Sequence, residues 1–267
     1  MAKIVSVCNQ KGGTGKTTTS VNLSCALVEM GKKVLLVDVD PQGNATSGVG
    51  VNKNELDTSV YELLLHKAKI NEIIRKGVYR DLDLIPCNIN LTGAEIELVG
   101  ALSRETRLRQ ALEQVKNDYD FIFIDSPPSL GLLTLNALVA SDTILIPVQC
   151  EFYALEGFSQ LLNTIRLVRD NLNSKLAIEG VLLTMADFRT NLTTEVINEI
   201  KKNFKDKVYD TVIPRNIRLS EAPSHGKPIT QYDSTSIGAK RYRQLAEEFL
   251  GLPQKSHNIL EENNIGS

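Results

Sequence analysis

One glycine-rich stretch decides how this chain folds: residues 9–18 read NQKGGTGKTT. It follows the apolar residues 4–7 and precedes residues 17–30, whose apolar side chains recur with helical spacing. A glycine-rich turn between a strand and a helix lets backbone N–H groups point inward around phosphate oxygens, and the helix N-terminus adds favourable potential. The stretch therefore predicts a phosphate-binding loop at the first strand–helix junction.

Two lysines stand in this loop where one is usual. Lys16 would hold the β- and γ-phosphates of a nucleotide, and Thr17 would ligate Mg²⁺. The loop departs from the pattern G-x-x-x-x-G-K-[ST], because Gln10 occupies the first glycine position and Lys11 precedes Gly12. A second cation beside a polyanionic nucleotide is expected to take part in its chemistry. The alternatives are an ordinary glycine-rich turn and a solvated surface lysine.

Two further segments place carboxylates at the ends of apolar runs. Residues 37–44 read VDVDPQGN and carry Asp38 and Asp40, and residues 121–128 read FIFIDSPP and carry Asp125. Ligands of open α/β sheets bind at the carboxyl ends of the strands, and an aspartate there can serve a Mg²⁺ shell. Each segment alone could be a helix cap or a loop. The three motifs in this order predict a nucleotide site.

The alternation of apolar runs and helical patterns sets the fold class. The runs show little period-2 alternation, as is typical of parallel strands covered on both faces. Strands that alternate with helices imply right-handed crossovers, so we predict an α/β fold with a doubly wound, mostly parallel sheet and helices on both faces. The predicted strands are residues 4–7, 34–37, 121–124, 144–148, 181–183 and 208–213, and helices are predicted at 17–30, 191–204 and 236–251.

The chain shows no linker and no internal repeat, so we expect a single domain over residues 1–252. Residues 51–112 are less regular, which favours an insertion of small helices at the sheet edge. Residues 253–267 are polar and aperiodic, and we expect a flexible tail there.

Composition excludes several classes of protein. With 42% hydrophobic residues the chain can bury a sizeable core, so general disorder is excluded. The net charge of -2 does not by itself point to a polyanionic partner. The four cysteines are scattered, which fits a reducing cytosol and neither a disulfide framework nor a zinc site. No signal-peptide pattern and no apolar run of about 20 residues occurs. We therefore expect a cytoplasmic protein that does not cross a membrane.

The three motifs resemble the deviant Walker A, A′ and B motifs of the ParA/MinD superfamily of P-loop NTPases. The resemblance extends from about residue 3 to about residue 250, and residues 9–24, 35–50 and 213–229 are most similar to chromosomal ParA proteins of the Soj type. It implies an ATPase that uses ATP and Mg²⁺.

The resemblance also implies a role for each motif residue. Lys11 matches the signature lysine, which in this family reaches across an ATP-sandwich dimer to the partner's phosphates, and Gly12 matches the glycine at the dimer contact. Asp40 matches the carboxylate that orients the attacking water. The other matches are nucleotide-binding residues, metal-shell residues and residues beside the adenine: Gly13, Gly15, Lys16, Thr17 and Thr18; Asp38 and Asp125; Pro214 and Asn216.

Residues 185–243 contain eleven Lys/Arg and seven Asp/Glu, a modest basic bias. From the residues alone, solvated helix faces explain it as well as a ligand surface does. The resemblance assigns Arg189 and Arg218 to DNA contacts. It implies that an ATP-bound homodimer binds double-stranded DNA nonspecifically on the nucleoid. A ParB-type centromere-binding partner would then stimulate hydrolysis and release.

Three alternatives remain open. A MinD-like membrane-associated positioning ATPase would need a basic amphipathic C-terminal helix, whereas residues 260–264 read LEENN. An ATPase resembling nitrogenase iron protein would need cysteines at cluster positions that the four cysteines do not match. A metabolic P-loop enzyme would show a small-molecule pocket beyond the γ-phosphate. We predict a DNA-partitioning ATPase with no membrane partner.

Overall fold

The computed structural model describes residues 1–151 and 156–252, in which strands alternate with helices along the chain. The strands are β1 (Lys3–Val7), β2 (Val34–Asp38), β3 (Arg75–Tyr79), β4 (Leu82–Ile85), β5 (Phe121–Asp125), β6 (Thr143–Gln149) and β7 (Ala177–Thr184). The helices are α1 (Lys16–Glu29), α2 (Asn44–Gly48), α3 (Val60–Leu64), α4 (Ile70–Ile73), α5 (Leu91–Glu97), α6 (Arg107–Leu112), α7 (Leu132–Ala140), α8 (Glu156–Asn171), α9 (Asn191–Phe204), α10 (Ile217–Glu221), α11 (Ile229–Tyr232) and α12 (Ile237–Phe249). The helices predicted at 17–30, 191–204 and 236–251 are thus confirmed as α1, α9 and α12.

One sheet holds these strands in the order β3-β4-β2-β5-β1-β6-β7. Every neighbouring pair is parallel except β3 and β4, which are antiparallel. In the register of the central strands, Asp125 pairs with Val7 on one side and with Asp38 on the other. The three predicted motifs therefore meet at the carboxyl edge of adjacent strands.

Both faces of the sheet are covered. Neighbouring residues of β2 show this, because Leu36 belongs to a core shared with α1 and α12, whereas Leu35 and Val37 belong to a core shared with α3, α6 and α7. Strands with two buried faces read as continuous apolar runs. The predicted doubly wound, mostly parallel α/β fold is confirmed.

The strand predicted over residues 208–213 is wrong. This segment runs beside β7, and the N–H groups of Tyr209 and Ile213 donate to Val181 and Leu183, but the only β-bridge that its described residues make to a strand is an isolated one at Val208. The backbone N–H groups of Asp210 and Thr211 donate instead to the carboxylate of Glu248 on α12, at 2.6 and 2.9 Å. Because a side chain takes these donors, the segment does not continue a ladder.

The irregular region over residues 51–112 contains more than small helices. It also supplies β3 and β4, which extend the sheet at one edge. β4 reads LDLI and is buried along its whole length. Its aspartate, Asp83, accepts hydrogen bonds from Tyr119 and Lys76, both at 2.7 Å, which makes a charged residue tolerable there.

Two further expectations concern the C-terminal tail and membrane-spanning helices. The predicted tail, residues 253–267, lies outside the described residues. Among the residues that are described, no helix combines the length and hydrophobicity needed to cross a membrane.

Candidate nucleotide-binding site

The loop between β1 and α1 has the conformation that phosphate binding requires. Gly13 and Gly15 have φ of +74° and +83°, in the left-handed region that favours glycine. The side chain of Asn9 holds the start of the loop, because its Nδ2 donates to the carbonyl oxygen of Pro147 at 2.7 Å and its Oδ1 accepts from the N–H of Lys11 at 3.0 Å. The turn is therefore fixed to its neighbour β6.

Lys16 lies inside the loop at the first turn of α1. It is 6% exposed, and its Nζ donates to the carbonyl oxygen of Lys11 at 3.1 Å. Burial lowers the pKa of this amine, and the nearby charges of Asp125 and Asp40 oppose the shift. An ammonium group has three donors, so the desolvated amine keeps donors for phosphate oxygens. The predicted role of Lys16 fits its position.

Asp125 is fully buried and accepts two hydroxyl hydrogen bonds. Thr17 Oγ1 and Ser20 Oγ each donate to one carboxylate oxygen at 2.8 Å. Burial, followed by the charge of the adjacent Asp38, raises the pKa of Asp125 to about 8. Burial and the neighbouring carboxylate thus disfavour the ionised form of Asp125, even with the Lys16 amine nearby.

Asp38 is also fully buried, and α2 supplies its partners. The N–H and Oγ1 of Thr46 both donate to Oδ2 of Asp38, at 2.8 and 2.7 Å. Burial raises the pKa of Asp38 to about 6, and the bonds from Thr46 oppose that rise. Two buried carboxylates with raised pKa values and the Thr17 hydroxyl form a set of oxygen donors that suits Mg²⁺. The residues predicted for the metal lie together.

Asp40 follows β2 in a tight turn and is 7% exposed. Its Oδ1 accepts from the N–H of Gln42 at 2.9 Å, and its own N–H donates to Asp38 at 3.2 Å. Lys53 Nζ donates to the carbonyl oxygen of Gln42 at 2.5 Å. These bonds fix the turn, here called the Asp40 loop (residues 40–43), beside the buried carboxylates.

Lys11 is partly exposed and forms an ion pair outside the phosphate loop. Its Nζ pairs with Glu151 Oε2 at 3.2 Å, and the two side chains are 38% and 46% exposed. The other carboxylate oxygen of Glu151, Oε1, accepts a hydrogen bond from Gln149 Nε2 at 2.5 Å. A pair this exposed contributes little free energy, so Lys11 can leave it for a stronger anion.

The neighbouring Gly12 has open space around it. A Cβ added there would meet no atom of residues 1–151 or 156–252 within 4 Å. Contacts with the described part of the chain therefore do not require a glycine at this position.

Pro214 and Asn216 line a cavity of about 450 Å³ together with Gly15 and Thr18 of the phosphate loop. Asn216 also caps α10, because its Oδ1 accepts from the N–H of Leu219 at 3.2 Å. The size suits a small ligand. The segment predicted to lie beside the base thus opens directly onto the phosphate loop.

Arg189 and Arg218 lie at the surface and pair with carboxylates. Arg189, with its side chain 87% exposed, makes two bonds to Asp187 at 2.8 and 2.6 Å. Arg218 lies 2.9 Å from Glu221 and 3.6 Å from Asp233. A phosphate contact at either arginine would replace an internal carboxylate.

Sequence reasoning missed three residues that organise the site: Ser20, Thr46 and Lys53. Ser20 lies one helical turn after Lys16, and this spacing was the only local signal for a second hydroxyl on Asp125. The sequence around Thr46 and Lys53 contains no such local signal. The four cysteines are buried and unpaired, and burial raises the pKa of Cys8 to about 12.

Comparisons with known proteins agree with this geometry. A family model described as an AAA domain matches residues 2–178. The sporulation initiation inhibitor protein Soj of Bacillus subtilis (strain 168) is 63% identical over 248 residues, which cover 93% of this chain and 98% of that protein. The chromosome-partitioning ATPase Soj of Treponema pallidum (strain Nichols) is 50% identical over 250 residues, with 94% and 98% covered.

Solved structures share the fold. Cobyrinic acid a,c-diamide synthase from Mycobacterium smegmatis, with bound ADP and magnesium, superposes with a TM-score of 0.83 at 37% identity and covers 94% of both chains. A putative plasmid partition protein from Borrelia burgdorferi B31, bound to AMPPNP, gives 0.79 at 29% identity, with 94% of this chain and 99% of that chain covered. The phosphate loop, the buried carboxylates and these relatives lead to one assignment: the chain belongs to the ParA/Soj family of chromosome-partitioning ATPases.

Proposed function

We propose that this protein is an ATP-hydrolysing switch for DNA partitioning, in which ATP closes a homodimer that binds double-stranded DNA nonspecifically. The observation that carries the proposal is the pair of lysines in one phosphate loop. Lys16 is buried in the loop, whereas Lys11 is held at its surface by a weak ion pair. The first is placed for the chain's own nucleotide and the second for a nucleotide outside the protomer.

Nucleotide binding follows from the loop and the cavity. The backbone of residues 12–16 would cradle the phosphates, Lys16 would donate to the β- and γ-phosphates, and the base would enter the cavity at Pro214 and Asn216. Mg²⁺, when bound, neutralises phosphate charge. Thr17, Asp38 and Asp125 would hold it, and the cation would restore the ionised form of both carboxylates.

Hydrolysis needs a water aligned with the γ-phosphate. Asp40 is suited to orient it, because its loop is fixed by the bonds to Gln42 and Asp38. Slow turnover suits a switch, since the ATP-bound state must persist long enough to act.

Lys11 would make dimerisation depend on whether a triphosphate is bound. When two subunits face each other, its amine exchanges Glu151 for the phosphates of the partner's ATP and delivers positive charge there, as an arginine finger does. The open space around Gly12 is where the partner subunit would close. In this scheme a triphosphate in the site favours the dimer.

DNA binding would follow from dimerisation. Arg189 and Arg218 would contact phosphates, which makes binding independent of sequence and sensitive to salt. A dimer doubles these contacts on one surface, so its affinity exceeds that of the monomer. A ParB-type partner on the centromere would stimulate hydrolysis and return the protein from the nucleoid to the cytoplasm.

One alternative draws on a structural neighbour. The structural neighbour from Mycobacterium smegmatis, at 37% identity, is a cobyrinic acid a,c-diamide synthase, which is a small-molecule enzyme. The higher identity of 50% to the chromosome-partitioning ATPase Soj of Treponema pallidum, over 98% of its length, favours partitioning. A MinD-like membrane-associated ATPase is the other alternative, and binding to anionic vesicles instead of DNA would support it.

The test is DNA retention measured with ADP, ATP and a nonhydrolysable analogue at two salt concentrations. We expect retention with ATP and the analogue, little with ADP, and a steep loss at the higher salt. Equal retention in all nucleotide states would contradict the switch. No retention in any state would favour one of the alternatives.

A further inference from the structure

The segment that carries Arg218 is attached to the nucleotide site at both ends. Residues 216–226, here the arginine segment, leave the base cavity, pass through α10 and end in a turn closed by Gly226. Just beyond this turn, the N–H of Ile229 donates to Oδ1 of Asn22 on α1 at 2.7 Å. The segment is thus anchored at both ends, and between them Leu219 and Ala222 pack in the core shared with α1 and α12.

Between these anchors, the arginine segment touches α2, which begins directly after the Asp40 loop. The contact is backbone to backbone between Gly50 and Gly226. A Cβ added at Gly50 would lie 3.0 Å from the carbonyl oxygen of Gly226, and a Cβ added at Gly226 would lie 3.0 Å from Cα of Gly50 and 3.4 Å from the carbonyl oxygen of Ser47. The two glycines have φ of +87° and +61°. Both positions therefore favour glycine for their conformation and for the close approach.

A contact without side chains transmits displacement directly. Packed interiors do not deform freely, so a shift of α2 by a few tenths of an ångström must move the turn at Gly226 or separate from it. The ion pairs that Arg218 makes with Glu221 and Asp233 are exposed, and such pairs hold a side chain only weakly. Glu221 belongs to the segment and moves with Arg218, whereas Asp233 lies outside it, so a small movement of the segment would change the distance between Arg218 and Asp233.

We propose that the contact between Gly50 and Gly226 couples the Asp40 loop to the arginine segment, so that the nucleotide state decides whether Arg218 is placed for a phosphate ligand. This inference rests on the proposed function, because it explains how ATP would control DNA affinity within one subunit. The proposed coupling runs from the Asp40 loop through α2 to Gly50. It passes from Gly50 to Gly226 and from there to Arg218.

Alanine substitutions test the path with matched controls. Gly50→Ala and Gly226→Ala each place a Cβ in the backbone contact, one from each side of it. Gly31→Ala and Gly251→Ala carry the same kind of backbone penalty, since their φ values are +78° and +68°, but a Cβ there meets none of the residues that the structure describes within 4 Å. The measurement is the ratio of DNA affinities with ATP and with ADP. Couplings between sites are typically about 5- to 150-fold. We expect the ratio to fall to about one in both contact variants and to stay at the wild-type value in both controls.

A wild-type ratio in both contact variants would overturn the coupling. If the wild-type protein shows no ATP-dependent DNA binding, the proposed function fails, and hydrogen exchange then tests the coupling without DNA. An ATP analogue should change exchange at residues 44–50 and at residues 216–226 together. A change at 44–50 with none at 216–226 would contradict the inference, whatever the DNA result. The same measurement on the wild-type protein decides the matter if the variants do not fold.

Discussion

Gly12→Val offers a sharp test of where the second subunit closes. A Cβ added at Gly12 meets no atom of the described residues within 4 Å, and Gly12 does not have the left-handed φ that its neighbour Gly13 has. The substitution should therefore change the free energy of unfolding by about 0.5 kcal/mol or less, a shift in Tm of about 2 °C at most. ATP affinity should remain within about twofold of wild type, because a difference of 0.5 kcal/mol corresponds to roughly that factor.

The dimer should respond very differently. Forcing extra methyl groups into a close-packed contact costs about 1–3 kcal/mol. A symmetric pair meets this cost twice, so association should weaken by about 2–6 kcal/mol, which is roughly 30-fold or more. Gly13→Val is the matched control. Its φ of +74° makes valine strained within the loop, so this variant should lose ATP affinity already as a monomer.

Calorimetry with ATP and light scattering with the nonhydrolysable analogue measure the two effects separately. Gly12→Val should bind ATP and keep the mass of a monomer. A dimer mass at wild-type concentrations would refute the placement of the partner subunit. Loss of ATP binding in the monomer would refute the claim that the space at Gly12 is free.

Four further outcomes are expected. Lys16→Ala should abolish nucleotide binding, because it removes the buried ammonium group from the loop, and normal ATP affinity by calorimetry would contradict this. Asp40→Ala should trap an ATP dimer with little turnover, so undiminished phosphate release would remove Asp40 from the mechanism. Arg189→Glu should dimerise but lose DNA, and unchanged retention on a sensor surface would exclude that arginine. Since the pKa of Asp125 is raised from 3.8 to about 8, the folded state holds a proton that the unfolded state releases. The Tm of the nucleotide-free protein should therefore fall as pH rises from about 5 to about 8, more steeply than in Asp125→Asn, and equal slopes in a thermal scan would show that this carboxyl is not responsible.

The parts of the fold that the sequence predicts are those set by local patterns. The phosphate loop, the apolar runs of the central strands and the periodicity of α9 each lie within about 20 residues. The strand expected at 208–213 fails for a different reason: two of its central N–H donors go to Glu248, which lies 37 or 38 residues further along the chain. Strand β4 escapes detection because Asp83 interrupts its apolar run, and its partner Tyr119 is 36 residues away.

The candidate site likewise has a part that local sequence patterns predict and a part that depends on tertiary contacts. Motif spacing places Lys16, Asp38 and Asp125, and the parallel register of β1, β5 and β2 brings them together. The ion pair between Lys11 and Glu151 joins residues 140 positions apart, so no local pattern could indicate it. The contact between Gly50 and Gly226 likewise depends on tertiary packing.

The central claim is that Lys11 serves the nucleotide of the neighbouring subunit, and ATP turnover in a mixture of Lys11→Ala and Asp40→Ala tests it most directly. In a mixed pair, the Lys11→Ala subunit keeps its own Asp40 and receives Lys11 from its partner, so one of the two sites is complete. We predict that the mixture hydrolyses ATP faster than either variant alone at the same total concentration. A mixture no faster than the average of the two variants would mean that Lys11 acts only on its own nucleotide, and the account would be wrong.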